Sequence, residues 1–70
     1  MLIMNQKRSE LVNLDNVVLL AKYDQNGETE YYAYANNHSV SLGAYENTEN
    51  LLEKIAKSIG ATEVFYMPEE

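Results

Sequence analysis

Cysteine and tryptophan are absent from this chain of 70 residues, and histidine, phenylalanine and proline each occur once. Without cysteine there is no disulfide framework and no thiolate zinc site. With His38 the lone histidine, neither a His-rich metal cluster nor a nucleophile–histidine triad has its members. The glycines Gly27, Gly43 and Gly60 stand far apart, so neither a P-loop nor a GxGxxG phosphate cradle can be read. Basic residues are few: Lys and Arg total 5 against 11 Asp and Glu, a formal charge of −6. Nucleic-acid binding draws on a basic surface that releases counterions from phosphates, and this chain has none to offer. Nor is there a long apolar run. The longest, Val17 to Ala21, falls well short of the ~20 residues of a membrane span. The start Met1-Leu2-Ile3-Met4-Asn5 lacks the charged and apolar regions of a signal peptide. A cytoplasmic protein is expected, since the lack of cysteine suits a reducing compartment.

What is present suits one small domain over 1–70. Apolar residues make up 46% of the chain, enough for a core. A domain of about this size buries only ~60% of its unfolded surface, so little interior is left for a deep pocket.

The pattern along the chain is mostly of period two. Leu2 to Met4 reads as a short strand, and Gln6-Lys7-Arg8-Ser9 as a turn. Glu10 to Leu14 then returns as a second strand, with Val12 and Leu14 on one face. Asp15-Asn16 marks another turn. Val17 to Tyr23 is apolar on both faces and reads as a central strand. Asn26-Gly27 is a strong two-residue hairpin signal, because both residues tolerate positive φ. Thr29 to Asn36 places Tyr31, Ala33 and Ala35 on one face and Glu30, Tyr32, Tyr34 and Asn36 on the other. After a turn at Asn36-Asn37-His38, Ser39 to Gly43 turns Val40 and Leu42 inward. The spacing predicts an antiparallel meander over 10–43.

The period then changes. Leu51, Leu52, Ile55, Ala56 and Ile59 recur on one helical face, which predicts a helix over 48–59. Asn47 or Thr48 would cap it, Glu49 would favour its first turn, Glu53 and Lys57 would pair along it, and Gly60 would end it. Val64 to Met67 is a last strand, stopped by Pro68. The expected fold is α+β, in the order β-β-β-β-β-α-β, with one amphipathic helix on one face of a small curved antiparallel sheet.

Chemistry-bearing residues are scarce. The acids fall in turns, on the outer helix face or in the tail, without the apolar flanks that raise a carboxyl pKa. A non-enzyme without cofactor or metal is expected. The informative excess is tyrosine, six in all. Tyr32 and Tyr34 share one face of a strand, with Tyr23 on its neighbour. Ordinary cross-strand packing accounts for such a cluster. The functional reading is a contact patch, since tyrosine offers large area at low entropic cost. Its candidate members are Tyr32, Tyr34, Asn36, Asn37 and His38, with Glu46, Glu49 and Glu53 as an acidic flank.

Three stretches also carry a resemblance: Leu11-Val12-Asn13-Leu14-Asp15-Asn16-Val17, Ser41-Leu42-Gly43-Ala44-Tyr45 ahead of the helix, and Val64-Phe65-Tyr66-Met67-Pro68-Glu69. Together they resemble small, mostly uncharacterised phage or prophage proteins of low-GC Gram-positive bacteria. The helix start Asn47-Thr48-Glu49-Asn50 departs from the more charged start of that group. The resemblance implies a shared fold and a mobile-element setting, and brings no catalytic residues with it.

Three roles follow as expectations. The first is an acidic binding protein that inhibits or modulates a host protein, such as a nucleic-acid-handling defence factor, in the manner of an anti-CRISPR. The second is an oligomer that sequesters a small molecule or nucleotide, with Asn13, Asn16, Asn36, Asn37 and tyrosine hydroxyls as donors and Lys7, Arg8 and Lys22 gathered at a subunit interface. The third is an accessory structural domain. No nucleic acid or membrane is expected as a direct partner. Monomer and homodimer both stay open, because the first and last strands are read as exposed edges.

Overall fold

A computed structural model describes residues 1–46 and 49–69. The elements run β1 (Leu2–Met4), β2 (Leu11–Asn13), β3 (Leu19–Gln25), β4 (Glu28–Tyr34), β5 (Ser39–Tyr45), α1 (Leu51–Ser58) and β6 (Val64–Tyr66). A 3-10 turn at Leu14–Asn16 separates β2 from β3. The α+β class and the order of elements are as the sequence predicts.

The strands divide between two sheets, ordered β2-β1-β6 and β3-β4-β5. In the first, β1 pairs antiparallel with β2 and parallel with β6. The meander read over 10–43 is therefore confined to β3, β4 and β5. The divide falls at the 3-10 turn, where the Asn13 side chain accepts a hydrogen bond from Asp15 N at 3.0 Å. Val17 N then bonds Leu14 O, and Val18 N already bonds Tyr34 O in the other sheet. A short side chain that satisfies the backbone locally ends β2 and redirects the chain.

Two strand readings need correction. The first strand is no edge, since β1 lies between β2 and β6; the last strand, β6, is one. The segment read as a central strand over 17–23 enters the strand only at Leu19, and β3 is an edge. Its apolar residues on both faces signalled burial on both sides, yet Val18 is 66% exposed and Leu19 53%.

The core lies between the sheets and the helix. It comprises Ile3, Tyr31, Ala33, Leu42, Tyr45, Leu51, Ile55 and Met67. From α1 come Leu51 and Ile55, each fully buried and worth roughly 1.5–3 kcal/mol against exposure. Asn50 caps the helix, its side chain accepting from Leu52 N at 3.1 Å. The expected caps Asn47 and Thr48 lie outside the described residues. Glu49 precedes the cap, leaving Glu53 as the acid of the first turn. The helix also ends earlier than predicted. Ile59 takes extended dihedrals as the C-cap and is 57% exposed, so it leaves the buried face. Gly60 follows at φ +84°, the left-handed position expected of it.

Tyr31 fixes the start of the helix from below. Its hydroxyl donates to Glu49 O at 3.1 Å and accepts from Leu51 N at 3.1 Å. Asn5, the buried polar residue of the fold, organises the β1–β2 turn. Its Oδ1 accepts from Ser9 N at 2.9 Å and from Glu10 N at 3.1 Å.

The sheets are joined at Gln6. Its backbone N–H donates to Leu42 O at 2.8 Å. Its side-chain amide donates to Ala44 O at 3.1 Å and accepts from Ala44 N at 3.0 Å. The amide thus does for the free edge of β5 what another strand's backbone would do. Gly43 makes this approach possible, because a Cβ there would lie 2.8 Å from Gln6 Cβ and 2.8 Å from the Tyr45 hydroxyl. Beside it, a bulge between Tyr31 and Tyr32 in the β4–β5 register lets Leu42 turn into the core.

Gly43→Ala meets both the close contacts and a φ of +151°, whereas Gly60→Ala meets open space at a left-handed φ. We expect Gly43→Ala to cost ~3 kcal/mol or more and Gly60→Ala ~1 kcal/mol. Urea unfolding of both variants checks this; equal midpoints would remove Gly43 from the joint.

Candidate functional site

One face of β3-β4-β5 is consumed by the core. Cα partners across the strands share a face, so the inner set runs Leu20–Ala33–Val40, Lys22–Tyr31–Gly43 and Asp24–Thr29–Tyr45. The outer set is Leu19–Tyr34–Ser39, Ala21–Tyr32–Ser41 and Tyr23–Glu30–Ala44. No described element packs over this outer face, and it carries the aromatic cluster.

The rings of Tyr23 and Tyr32 meet edge-on, centroids 6.0 Å apart. Tyr32 and Tyr34 lie tilted at 6.1 Å. The Tyr34 hydroxyl donates to the Tyr23 hydroxyl at 3.1 Å, and that of Tyr32 donates to Glu30 Oε1 at 3.2 Å. Tyr32 and Tyr34 are therefore half-buried against each other rather than free, while Tyr23 is 49% exposed. Both readings of the tyrosines meet here: the rings stabilise the sheet and still present a broad surface. The hydroxyl bonds raise two pKa values, that of Tyr32 chiefly through Glu30 and that of Tyr34 chiefly through Tyr23.

The other predicted site residues do not join this face as one patch. Asn36, Asn37 and His38 form the exposed turn between β4 and β5, at the Tyr34 end of the sheet. Glu46 and Glu49 lie at the opposite end. There they line an open cleft of about 320 Å3 with Lys22, Asp24, Glu28 and Tyr31. Glu49 is paired with Lys54 Nζ at 2.6 Å. Glu53 is exposed on α1, away from the tyrosines. The acidic flank therefore does not adjoin the turn at Asn36-Asn37-His38: Glu46 and Glu49 follow β5 at the far end of the sheet. Tyr23, expected on the neighbouring strand of the hairpin, completes the aromatic face beside Tyr32.

The donors considered for a small ligand are partly gathered. Asn13, Asn16 and His38 rim an apolar notch of about 200 Å3 floored by Val12, Val17, Ala33 and Val40. Asn36 and Asn37 line an adjoining cleft with Asp15. The cations lie elsewhere. Arg8 is engaged with Asn5 O, Met67 O and Glu69, and Lys22 sits 3.7 Å from Asp24. Among the described residues no group of three or more His, Asp or Glu could hold a metal ion, and no helix is long and apolar enough to cross a membrane.

No family model, curated protein or solved structure matches the chain. The site must be read from its own geometry.

Beneath the opposite face, burial pushes the Tyr45 hydroxyl up to about 12, and it donates to Pro68 O at 2.6 Å. An unfolded tyrosine ionises near 10, so between those values the folded chain keeps a proton that the unfolded chain has lost. The resulting stability is complete below pH ~10 and is lost as pH rises through ~12. We expect Tm to hold from neutral pH to about 10 and then fall. Tyr45→Phe should lower Tm at pH 7 through the lost bond, worth ~1 kcal/mol, and flatten the alkaline fall. An unchanged alkaline slope in that variant would clear Tyr45 of the effect.

Proposed function

We propose that the protein is a non-catalytic binding module that docks a basic protein surface against the outer face of β3-β4-β5. The observation that carries this reading is the makeup of that face. Three adjoining tyrosines, Tyr23, Tyr32 and Tyr34, lie beside small residues of β3 and β5, the carboxylates of the face are Glu30 and, at its hairpin end by register, Glu28, and Lys7 stands at the rim, lining a notch with Glu30, Ser41 and Ala44. Tyrosine rings accept cations over their faces. A carboxylate alongside adds a charge-assisted hydrogen bond to an arginine or lysine. The net charge of −6 favours the approach of a basic partner and repels nucleic acid.

A surface that is acidic and aromatic suits the part of a nucleic-acid-handling protein that otherwise receives phosphates. On this reading the protein competes with nucleic acid for its target. The phage-type resemblance of the sequence adds a mobile-element setting, in which a host defence factor is a natural target. The small-molecule alternative is less well supported, because no basic side chain lines the notch beside Asn13 and Asn16.

Tagged protein exposed to lysate of a low-GC Gram-positive bacterium at about 50 and 500 mM salt tests the reading. We expect one basic protein at stoichiometric yield at low salt only, displaced by duplex DNA and lost with Glu28→Lys/Glu30→Lys. Capture that ignores salt and survives that double substitution would overturn it.

A further inference from the structure

Among the described residues, β3 is the long strand with an unpaired edge. β5, the other outer strand of its sheet, has its free side occupied by Gln6, and the outer strands β2 and β6 of the first sheet have three residues each. β3 has seven. Exposed apolar side chains lie on and just before this run, with Val18, Leu19 and Tyr23 all about half exposed or more. An open edge of this kind is a template for another strand.

The backbone direction along that edge is fixed by the hairpin. Asn26 and Gly27 both have positive φ, at 53° and 82°, and Gln25 faces Glu28 across the two-residue loop. In such a loop the flanking residues bond each other, so Tyr23, Ala21 and Leu19 turn their N–H and C=O toward β4. Leu20, Lys22 and Asp24 therefore turn theirs outward, to the open side.

We propose that a second copy of the chain pairs along β3, antiparallel about a two-fold axis at Tyr23, so that the two three-stranded sheets join into one continuous sheet. Charge selects this register. Only the even-numbered residues offer free backbone groups, so they must face one another. An axis at Lys22 would set the two Lys22 side chains in opposition, and an axis at Asp24 the two Asp24 side chains. An axis at Tyr23 sets each Lys22 opposite the partner's Asp24, twice over. Like charges directly across a ladder destabilise it and opposite charges stabilise it. A lysine on an edge strand ordinarily guards against pairing. Here Asp24, two residues on, turns that guard into a choice of register. The axis also brings the two Tyr23 rings together on the outer face, making one aromatic surface from two. The pairing stands on the edge of β3 and does not depend on what the outer face binds.

The absence of cysteine makes a direct test available. At a non-hydrogen-bonded antiparallel pair the Cα atoms lie ~4.5 Å apart, within disulfide range. Tyr23→Cys should therefore oxidise to a covalent dimer. Ala21→Cys should not, because its two copies would be offset by ~13 Å, yet it should cross-link to Gln25→Cys in a mixture. Sedimentation of the unaltered chain, from micromolar to millimolar, should show a monomer–dimer equilibrium. Lys22→Glu should weaken it by about tenfold or more, and Lys22→Glu/Asp24→Lys should restore it. A monomer throughout would overturn the proposal. So would a dimer in which Ala21→Cys links to itself, or one that is indifferent to Lys22→Glu.

Discussion

The fold depends on one side-chain amide. Two three-stranded sheets, one of them built from strands of three residues, are each too small to hold a shape unaided. Gln6 leaves the end of β1 and bonds β5 three times, once through its backbone and twice through its amide. That satisfies an edge which would otherwise be open beside the core. It also sets the distance between the sheets, so that Ile3 and Met67 of one meet Tyr31, Leu42 and Tyr45 of the other. Gly43 is the counterpart of this contact, since any side chain there would drive Gln6 away. The Tyr45 hydroxyl on Pro68 O and the Arg8 guanidinium on Met67 O then fasten the end of the chain to the same joint.

The joint also decides which surfaces are left for function. Covering the inner face of β3-β4-β5 and closing the edge of β5 uses up the first sheet and the helix. The outer face and the edge of β3 remain uncovered, and the tyrosine cluster and the exposed Val18 and Leu19 lie there. In a larger protein another layer would cover that face. Here the rings of Tyr23, Tyr32 and Tyr34 shield one another, which lets an aromatic surface remain in water at lower cost.

Periodicity made the elements legible and left the joints obscure. The tyrosine strand, the Asn26-Gly27 hairpin and the helical stripe through Leu51 and Ile55 all follow from local spacing, and so does the order of strands along the chain. The division into two sheets does not. It rests on a three-residue 3-10 turn and on the reach of Gln6 to a strand 36 positions further on, counted to Leu42, and no local period encodes either. The same limit governed the candidate site. Tyr32 and Tyr34 were found because they share a strand. Tyr23 belongs with them through a hairpin pairing, whereas Glu46 and Glu49 lie at the far end of the sheet, where no local period places them. β3 departs from its pattern for a physical reason: a strand apolar on both faces is ordinarily buried on both, and this one lies at an edge with Leu19 and Tyr23 exposed on the outer face.

That exception says something about where the acidic charge acts. The cleft beside Glu46 and Glu49 already holds Lys22 next to Asp24, and Glu49 already holds Lys54, so Asp24 and Glu49 are partly answered within the chain. Glu30 accepts a hydrogen bond from the neutral Tyr32 hydroxyl and shares a notch with Lys7. It lies beside rings that accept cations. The electrostatic pull of the whole chain is diffuse and screened within about 10 Å at moderate salt. For the basic partner proposed above, specificity would come from a place where charge and ring faces coincide, and on this chain they coincide at Glu30 and the tyrosines around it.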